Sequence, residues 1–173
     1  AHESGILWLY LNRRDLAQGD GTGPQHYLQA IDARSGRSLR TLVLDGPVGT
    51  LWALPEDGVV LLSHERGEVW AFAADGSRRT LAIAPLNAYA GATLSADGRR
   101  LAIATTRGAA VVDVESMRWL APLFGGGIAH DDLVAGLAFD VGGTQLLLRT
   151  AHRRWVRHLL PVEGRPLAEI ETG

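Results

Sequence analysis

Histidines are the side chains of this 173-residue chain best suited to holding a metal ion. The six are His2, His26, His64, His130, His152 and His158. No two of them have the His-x-x-x-His spacing that places two imidazoles on one face of a helix. The chain contains no cysteine, which excludes thiolate metal sites, disulfides and cysteine nucleophiles. We therefore predict that the protein has no metal site and no cofactor.

Carboxylate and hydroxyl groups are equally weak candidates for catalysis. Asp131 and Asp132 are adjacent, and neighbouring side chains on a strand or turn tend to point apart, whereas catalytic carboxyls must face each other. Ser63 and His64 are also adjacent, and no Gly-x-Ser-x-Gly elbow occurs. Residues 125–127 are three glycines, but the Lys-Ser/Thr of a phosphate-binding loop does not follow. We expect no catalytic residue and a protein that is not an enzyme.

Charge and hydropathy narrow the class of partner. The formal net charge is −2, so no excess of positive charge favours nucleic acid or an anionic membrane. No apolar run approaches the roughly 18 residues needed to span a bilayer. All 17 basic residues are arginine, which indicates a GC-rich bacterial coding sequence. We expect a soluble protein, and we favour the bacterial cytoplasm over the periplasm.

Turn dipeptides recur at regular intervals along the chain, and they indicate the elements that would position any site. Asp57-Gly58 is followed by Asp97-Gly98 and then by Gly142-Gly143, at intervals of 40 and 45 residues. A second series of turn dipeptides is interleaved with the first: Ser35-Gly36, Asp75-Gly76, Glu115-Ser116 and Glu163-Gly164. Such pairs favour tight turns because glycine accepts a positive φ without steric cost.

Short runs rich in Val, Ile and Leu separate these turns, and no segment has a sustained helical period. The runs predict an all-β fold of four units at 5–46, 47–86, 87–127 and 128–171. Three units have four strands, whereas the first has only three. Four antiparallel strands in every 40–45 residues are typical of a β-propeller blade. A β-sandwich or barrel is the alternative.

Two segments resemble WD repeats. Residues 129–140 are similar to the start of such a repeat, with Ala-His where the family has Gly-His, and residues 93–102 resemble its strand, Asp-Gly turn and strand. Val112-Asp113 falls where the family carries Trp-Asp. Residues 30–36 and 71–76 also look like pyrroloquinoline-quinone-type propeller repeats. The resemblance implies a partial propeller within a larger ring, since seven blades are usual in the family.

The resemblance also implies roles for individual residues. His130 would make a structural hydrogen bond within its blade. Asp57, Asp97 and Asp113 would organise turns by accepting backbone N–H bonds. The family binds partners through loops on one face, where this chain has six basic and six acidic residues. The partner-binding candidates in those loops are Arg66, Arg107, Arg153, Arg154 and Asp132.

We therefore predict a protein-interaction scaffold, whose partner is another protein or the remaining blades of the same propeller. Balanced loop charges do not favour nucleic acid, because its capture depends on clustered cations. Two alternatives stay open. One is a propeller enzyme or a cofactor or metal binder with a ligand in the central channel, and the other is a purely structural module.

Overall fold

The structure, a computed structural model, describes residues 5–13, 25–82, 91–105, 108–124, 134–151, 155–160 and 169–171. These residues form fifteen β-strands and one 3₁₀ turn, Pro55–Asp57. The chain divides into two compact units, Ala1–Pro85 and Leu86–Gly173. No helix of the described residues is long and apolar enough to cross a membrane.

Each unit contains two antiparallel sheets of strands that are consecutive in the chain. The first unit holds β1 (Ile6–Arg13), β2 (Gln25–Asp32) and β3 (Ser38–Leu44) in one sheet. Its second sheet is β4 (Thr50–Ala53), β5 (Val59–Ser63), β6 (Glu68–Phe72) and β7 (Arg78–Ala82).

The second unit repeats the four-stranded arrangement twice. Its first sheet is β8 (Ala92–Leu94), β9 (Arg100–Thr105), β10 (Gly108–Asp113) and β11 (Arg118–Phe124). Its second sheet is β12 (Val134–Phe139), β13 (Gln145–Thr150), β14 (Trp155–Leu159) and β15 (Glu169–Glu171). The prediction of an all-β fold with an incomplete first sheet is confirmed.

Burial on both faces explains the continuous apolar sequence of β5. β5 reads Val-Val-Leu-Leu-Ser, and its residues Val59 to Leu62 all have 0% exposure. Successive side chains of a strand point to opposite faces, so a continuous apolar run requires cover on both sides. Val59 and Leu61 pack with Trp70 against Trp8 and Leu28 of the first sheet. This contact forms the core of the first unit.

The core of the second unit is made of smaller side chains. Ala102, Ala104, Ala109 and Val111 of its first sheet pack with Leu146 and Leu148 of β13. At one end of these sheets, Arg100 Nη1 donates a hydrogen bond of 2.6 Å to the carbonyl oxygen of Gly143. Alanine on one sheet and leucine on the other let the two sheets interlock.

The described turns follow the glycine series with one difference, and the predicted turn Glu163-Gly164 lies outside the described residues. Gly36, Gly76, Gly98 and Gly143 have positive φ, from 65° to 83°. Gly58 does not, because its φ is −82° and the left-handed residues are Glu56 and Asp57. The prediction that Gly58 is needed for a positive φ is therefore wrong, and the reason for a glycine here is close packing. A Cβ there would lie 3.1 Å from the carbonyl oxygen of Phe72.

Replacing Leu61 by alanine should destabilise the protein by about 2–5 kcal/mol, since the lost side chain is fully buried and leaves a cavity. Leu39→Ala is the matched control, because Leu39 is 45% exposed and a surface substitution costs within about 0.5 kcal/mol. Urea unfolding followed by circular dichroism measures both. Equal losses in the two variants would contradict the assigned core.

Candidate functional site

Arg66 is the one partner-binding candidate within the described residues. It lies in the loop between β5 and β6, at the same end of the sheet as the 45–49 connection, because Thr50 pairs with Leu62 and Ser63 with Glu68. Arg66 Nη1 donates to the carbonyl oxygen of Asp45 at 3.0 Å. Its Nε is 3.4 Å from Glu68 Oε2, and the side chain is 45% exposed. Arg66 therefore joins two loops and still presents its guanidinium to solvent.

A second arginine completes the group. Arg78 Nη1 lies 2.7 Å from Asp45 Oδ2, and its guanidinium carbon is 5.9 Å from the centre of the Trp70 ring. Trp70 is fully buried and donates from Nε1 to Glu68 Oε2 at 2.7 Å. We call these five residues, Asp45, Arg66, Glu68, Trp70 and Arg78, the loop cluster.

The loop cluster carries two positive and two negative side chains, which balance. The hydrogen bond and the charge of Arg78 lower the pKa of Asp45, so this carboxyl stays ionised. Both partners of that ion pair are well exposed, at 39% and 55%, so solvent screens it and it adds little to folding stability. The physical effect of the pair is to hold polar groups in one arrangement at the surface.

Hydrogen bonds to side chains of the strands β1 and β5 fix the 45–49 connection. The Tyr10 hydroxyl is 2.7 Å from Nδ1 of His26, the two rings stack, and Val48 N–H donates to the same hydroxyl at 3.3 Å. Ser63 Oγ donates to the carbonyl oxygen of Pro47 at 2.8 Å. These bonds hold the segment beside Asp45 in place.

Gly49 makes room for a side chain where this connection meets the next loop. A Cβ on Gly49 would lie 2.0 Å from Cδ2 of His64. Gly49 N–H donates to the carbonyl oxygen of Leu62 at 2.9 Å. The imidazole of His64 therefore packs against bare backbone, and a larger residue at 49 would have to displace this ring.

The aspartates assigned to turns occupy three different environments. Asp97 Oδ1 accepts from Ser95 Oγ at 2.6 Å and from Arg99 N–H at 3.0 Å. Asp113 Oδ1 accepts from both the N–H and the hydroxyl of Ser116, at 2.6 Å each. Asp97 thus joins the residues on either side of it in its turn, Ser95 and Arg99, whereas Asp113 binds a residue that follows it, Ser116.

Asp57 differs because its backbone forms the contact. Its carbonyl oxygen accepts from Trp8 Nε1 at 3.0 Å, which ties the 3₁₀ turn to the first sheet. Its Oδ1 is buried and has no hydrogen-bond partner among the described residues. The side chain therefore does not cap its turn through that atom.

Other turn aspartates have lowered pKa values. Backbone N–H donation from Ser35 lowers the pKa of Asp32, and donation from Gln145 lowers that of Asp140. For Asp97, burial raises the pKa, but hydrogen bonds from Ser95 and Arg99 outweigh it, so the net shift is downward. These carboxylates are held ionised as turn acceptors.

The other sequence-predicted site residues lie outside the described residues. They are Arg107, His130, Asp132, Arg153 and Arg154. Among the residues that the structure does describe, no group of three or more His, Asp or Glu could hold a metal ion. His26 and His64 lie at the loop end of the first unit and contact Tyr10 and Gly49. His158 lies on β14.

Sequence reasoning did not single out Glu68, Arg78 or Tyr10. Strand register supplies the missing signal for Arg78. It pairs with Phe72, while Trp70 pairs with Thr80, so Arg78 is a diagonal neighbour of the Trp70 ring. A register assigned from the Asp75-Gly76 turn would have brought these two side chains together.

Comparison with solved structures identifies the architecture. The β-propeller domain of Cps50 (Swd1) from Myceliophteria thermophila matches with a TM-score of 0.56 and 16% identity, over 84% of this chain and 53% of its own. The C-terminal WD40 domain of Sif2 matches with a TM-score of 0.60 and 14% identity, over 80% of this chain and 43% of its own. The fold is that of a WD40 β-propeller.

This chain spans about half the length of those WD40 propeller structures. No protein-family profile and no curated protein matches the sequence. The likeness therefore establishes the fold, and the loop cluster must be interpreted from its own geometry.

Tyr10→Phe should destabilise the protein by about 1–3 kcal/mol, because it leaves Nδ1 of buried His26 and the N–H of Val48 without their shared partner. Tyr27→Phe is the matched control, since the Tyr27 hydroxyl contacts only an exposed partner, Gln25. Thermal unfolding of both variants measures the difference. Indistinguishable midpoints would contradict the proposed role of the Tyr10–His26 pair.

Arg78→Gln should raise the pKa of Asp45 towards its ordinary value, since Arg78 is the main cause of its depression. A carbon-detected NMR titration of the side-chain carboxyls between pH 2 and 6 measures this, a window of about two units around an ordinary aspartate pKa. The pKa of Asp75, which hydrogen bonds from Ser77 lower, should not move. An unchanged Asp45 would show that the ion pair does not form in solution.

Proposed function

We propose that this chain is a non-enzymatic protein-interaction module of the WD40 propeller type, and that the loop cluster belongs to its partner-binding surface. The observation that carries the proposal is the arrangement around Trp70. Two exposed arginines and two carboxylates are held in fixed positions over and beside a buried aromatic ring.

The charge pattern supports a protein partner. A surface with two cations and two anions in alternation can make complementary polar contacts with another mixed surface. It offers no net positive field for a phosphate backbone, which is captured by clustered cations. Arginine is also among the residues that contribute most to protein interfaces, because its guanidinium can donate several hydrogen bonds and stack on flat groups.

The rigidity of the surface supports the same proposal. Arg66 is tied to the Asp45 carbonyl, and the neighbouring connection is fixed by Tyr10 and Ser63. A surface that is already ordered loses less conformational entropy on binding, so more of its contact energy appears as affinity. On the basis of the WD-repeat resemblance, Arg107, Arg153, Arg154 and Asp132 stay partner-binding candidates in their own loops.

The substitution Arg66→Glu should weaken partner binding by about tenfold or more. It removes a hydrogen-bond donor from the surface, and the new carboxylate repels that of the neighbouring Glu68. The matched control is Arg37→Glu. Arg37 is exposed in the turn at the opposite end of the first sheet and undergoes the same change of charge. Cells that express the chain from its own coding context are cross-linked, and wild type and both variants are compared by quantitative mass spectrometry.

The expected result is a set of cross-linked proteins that Arg37→Glu retains and Arg66→Glu loses, with unchanged circular dichroism for both. Retention of every partner by Arg66→Glu would contradict the proposal and favour a purely structural module.

A further inference from the structure

Two guanidinium groups of the loop cluster converge on one residue, Asp45. Arg66 Nη1 donates to its backbone carbonyl oxygen at 3.0 Å, and Arg78 Nη1 donates to its side-chain Oδ2 at 2.7 Å. The hydrogen bond and charge of Arg78, followed by the charge of Arg66, lower the pKa of the Asp45 carboxyl. One carboxylate therefore lies close to two arginines, and both arginines are open to solvent.

The backbone of Asp45 is held in place, whereas its carboxylate is held weakly. The Asp45 side chain is 55% exposed and its ion-pair partner Arg78 is 39% exposed. Such a pair contributes little free energy, because solvent competes for both groups. The carboxylate can therefore leave Arg78 at small cost. Arg66 then keeps its bond to the carbonyl oxygen, and Arg78 keeps its contact with the Trp70 ring.

Glu68, the other carboxylate of the cluster, is bound more tightly. Its side chain is 25% exposed, and its Oε2 accepts from Trp70 Nε1 at 2.7 Å and lies 3.4 Å from Arg66 Nε. Glu68 thus orients a buried ring and an arginine at the same time. Asp45 is therefore the carboxylate of the cluster that a ligand can replace.

We infer that the Asp45 side chain occupies the position of a carboxylate from the partner, and that the loop cluster binds an acidic segment of that protein. The inference rests on the proposed function and names the chemistry of its partner. A glutamate or aspartate of the partner replaces the Asp45 carboxylate on Arg78 and accepts further N–H bonds from Arg66. Guanidinium and carboxylate match in shape, because two parallel N–H groups can bind both oxygens of one carboxylate.

The chemistry of interfaces favours a carboxylate over the other charged ligands. Arginine is enriched at the centre of protein interfaces, whereas aspartate and glutamate are depleted there. A cation of the partner that approached Asp45 would also meet Arg66 and Arg78, whose like charges repel it. Phosphate is less suited, because the neutral cluster has no excess of positive charge for a second negative charge.

The probe is a capped peptide with the sequence Gly-Glu-Gly-Glu-Gly, and the controls carry glutamine or lysine in place of glutamate. Binding to the 173-residue chain is followed by NMR of the arginine Nε–H groups at low ionic strength. We expect the glutamate peptide to shift the Arg66 and Arg78 resonances. It should bind at least about tenfold more tightly than either control, because hydrogen bonds between charged groups are the stronger ones. Added salt should weaken this binding.

Asp45→Asn tests the replacement directly. It removes the internal competitor for Arg78, so the affinity for the glutamate peptide should rise by about threefold or more. Asp75→Asn is the matched control, because it changes the net charge equally and lies in the exposed turn at the other end of the same sheet. That variant should bind the peptide as the unmodified chain does. Arg78→Gln should lose most of the binding, and circular dichroism checks that all three variants are folded.

Three outcomes would overturn the inference. Equal binding of the glutamate and glutamine peptides would show that the cluster does not recognise a carboxylate. Unchanged or weaker binding of the glutamate peptide by folded Asp45→Asn would show that Asp45 does not occupy the ligand position. Tighter binding of inorganic phosphate than of the glutamate peptide would make phosphate the preferred anion.

The cross-linking experiment on Arg66→Glu separates this inference from the proposed function. If that variant loses its partners while the chain shows no preference for the glutamate peptide, the loop cluster is a partner-binding surface and the acidic segment is wrong. If the glutamate peptide is preferred while every partner is retained, the cluster binds carboxylates and the proposed function is wrong.

Discussion

The arrangement of this protein depends on sheets that pack face to face, and in β5 the burial is complete on both faces. Val59, Val60, Leu61 and Leu62 form one strand with no exposed side chain. Such a strand cannot be half of a solvated sheet, so each sheet needs a neighbour. In the first unit the neighbour is the sheet of β1 to β3, whose Trp8 and Leu28 meet Leu61 and Trp70. Repetition of this contact, with smaller side chains, gives the second unit its core.

The charged side chains of the loop cluster lie where this packing leaves the surface open to solvent. Strands buried on both sides have no polar surface, so charged groups gather at the ends of the sheets and on outer strands. The loop cluster is such a place, since Arg66 belongs to a loop and Arg78 to the outer strand β7. Trp70 connects the core with the charged surface, because its ring packs in the core while its Nε1 donates a hydrogen bond to Glu68.

Much of the architecture could be predicted from the sequence because turns and strands are local. The repeated glycine turns and the apolar runs between them indicated fifteen strands in sheets of three and four. Gly58 was harder, since its importance comes from contact with the Phe72 carbonyl and not from its own φ. The turn propensity of glycine depends on the residue itself and does not include contact with Phe72, which only folding brings beside it.

The site was less predictable for the same reason. Arg66 could be placed in a loop, but its partners Asp45 and Glu68 are identified by strand register. Tyr10 and His26 are sixteen residues apart and meet only when β1 and β2 pair. Side chains that act together here come from different strands, so their spacing in sequence carries no motif. Identifying them required the three-dimensional pairing.

Residue-resolved hydrogen exchange over the whole first unit tests the central constraint most directly. If burial on both faces organises the fold, the amides of β5 and β6 will be the slowest to exchange in this unit and will open only with global unfolding. The amides of β3, which is exposed on its outer face, will exchange faster. Equal or slower exchange in β3 than in β5 would contradict the account, because the most stable strand would then be one that is covered on a single face.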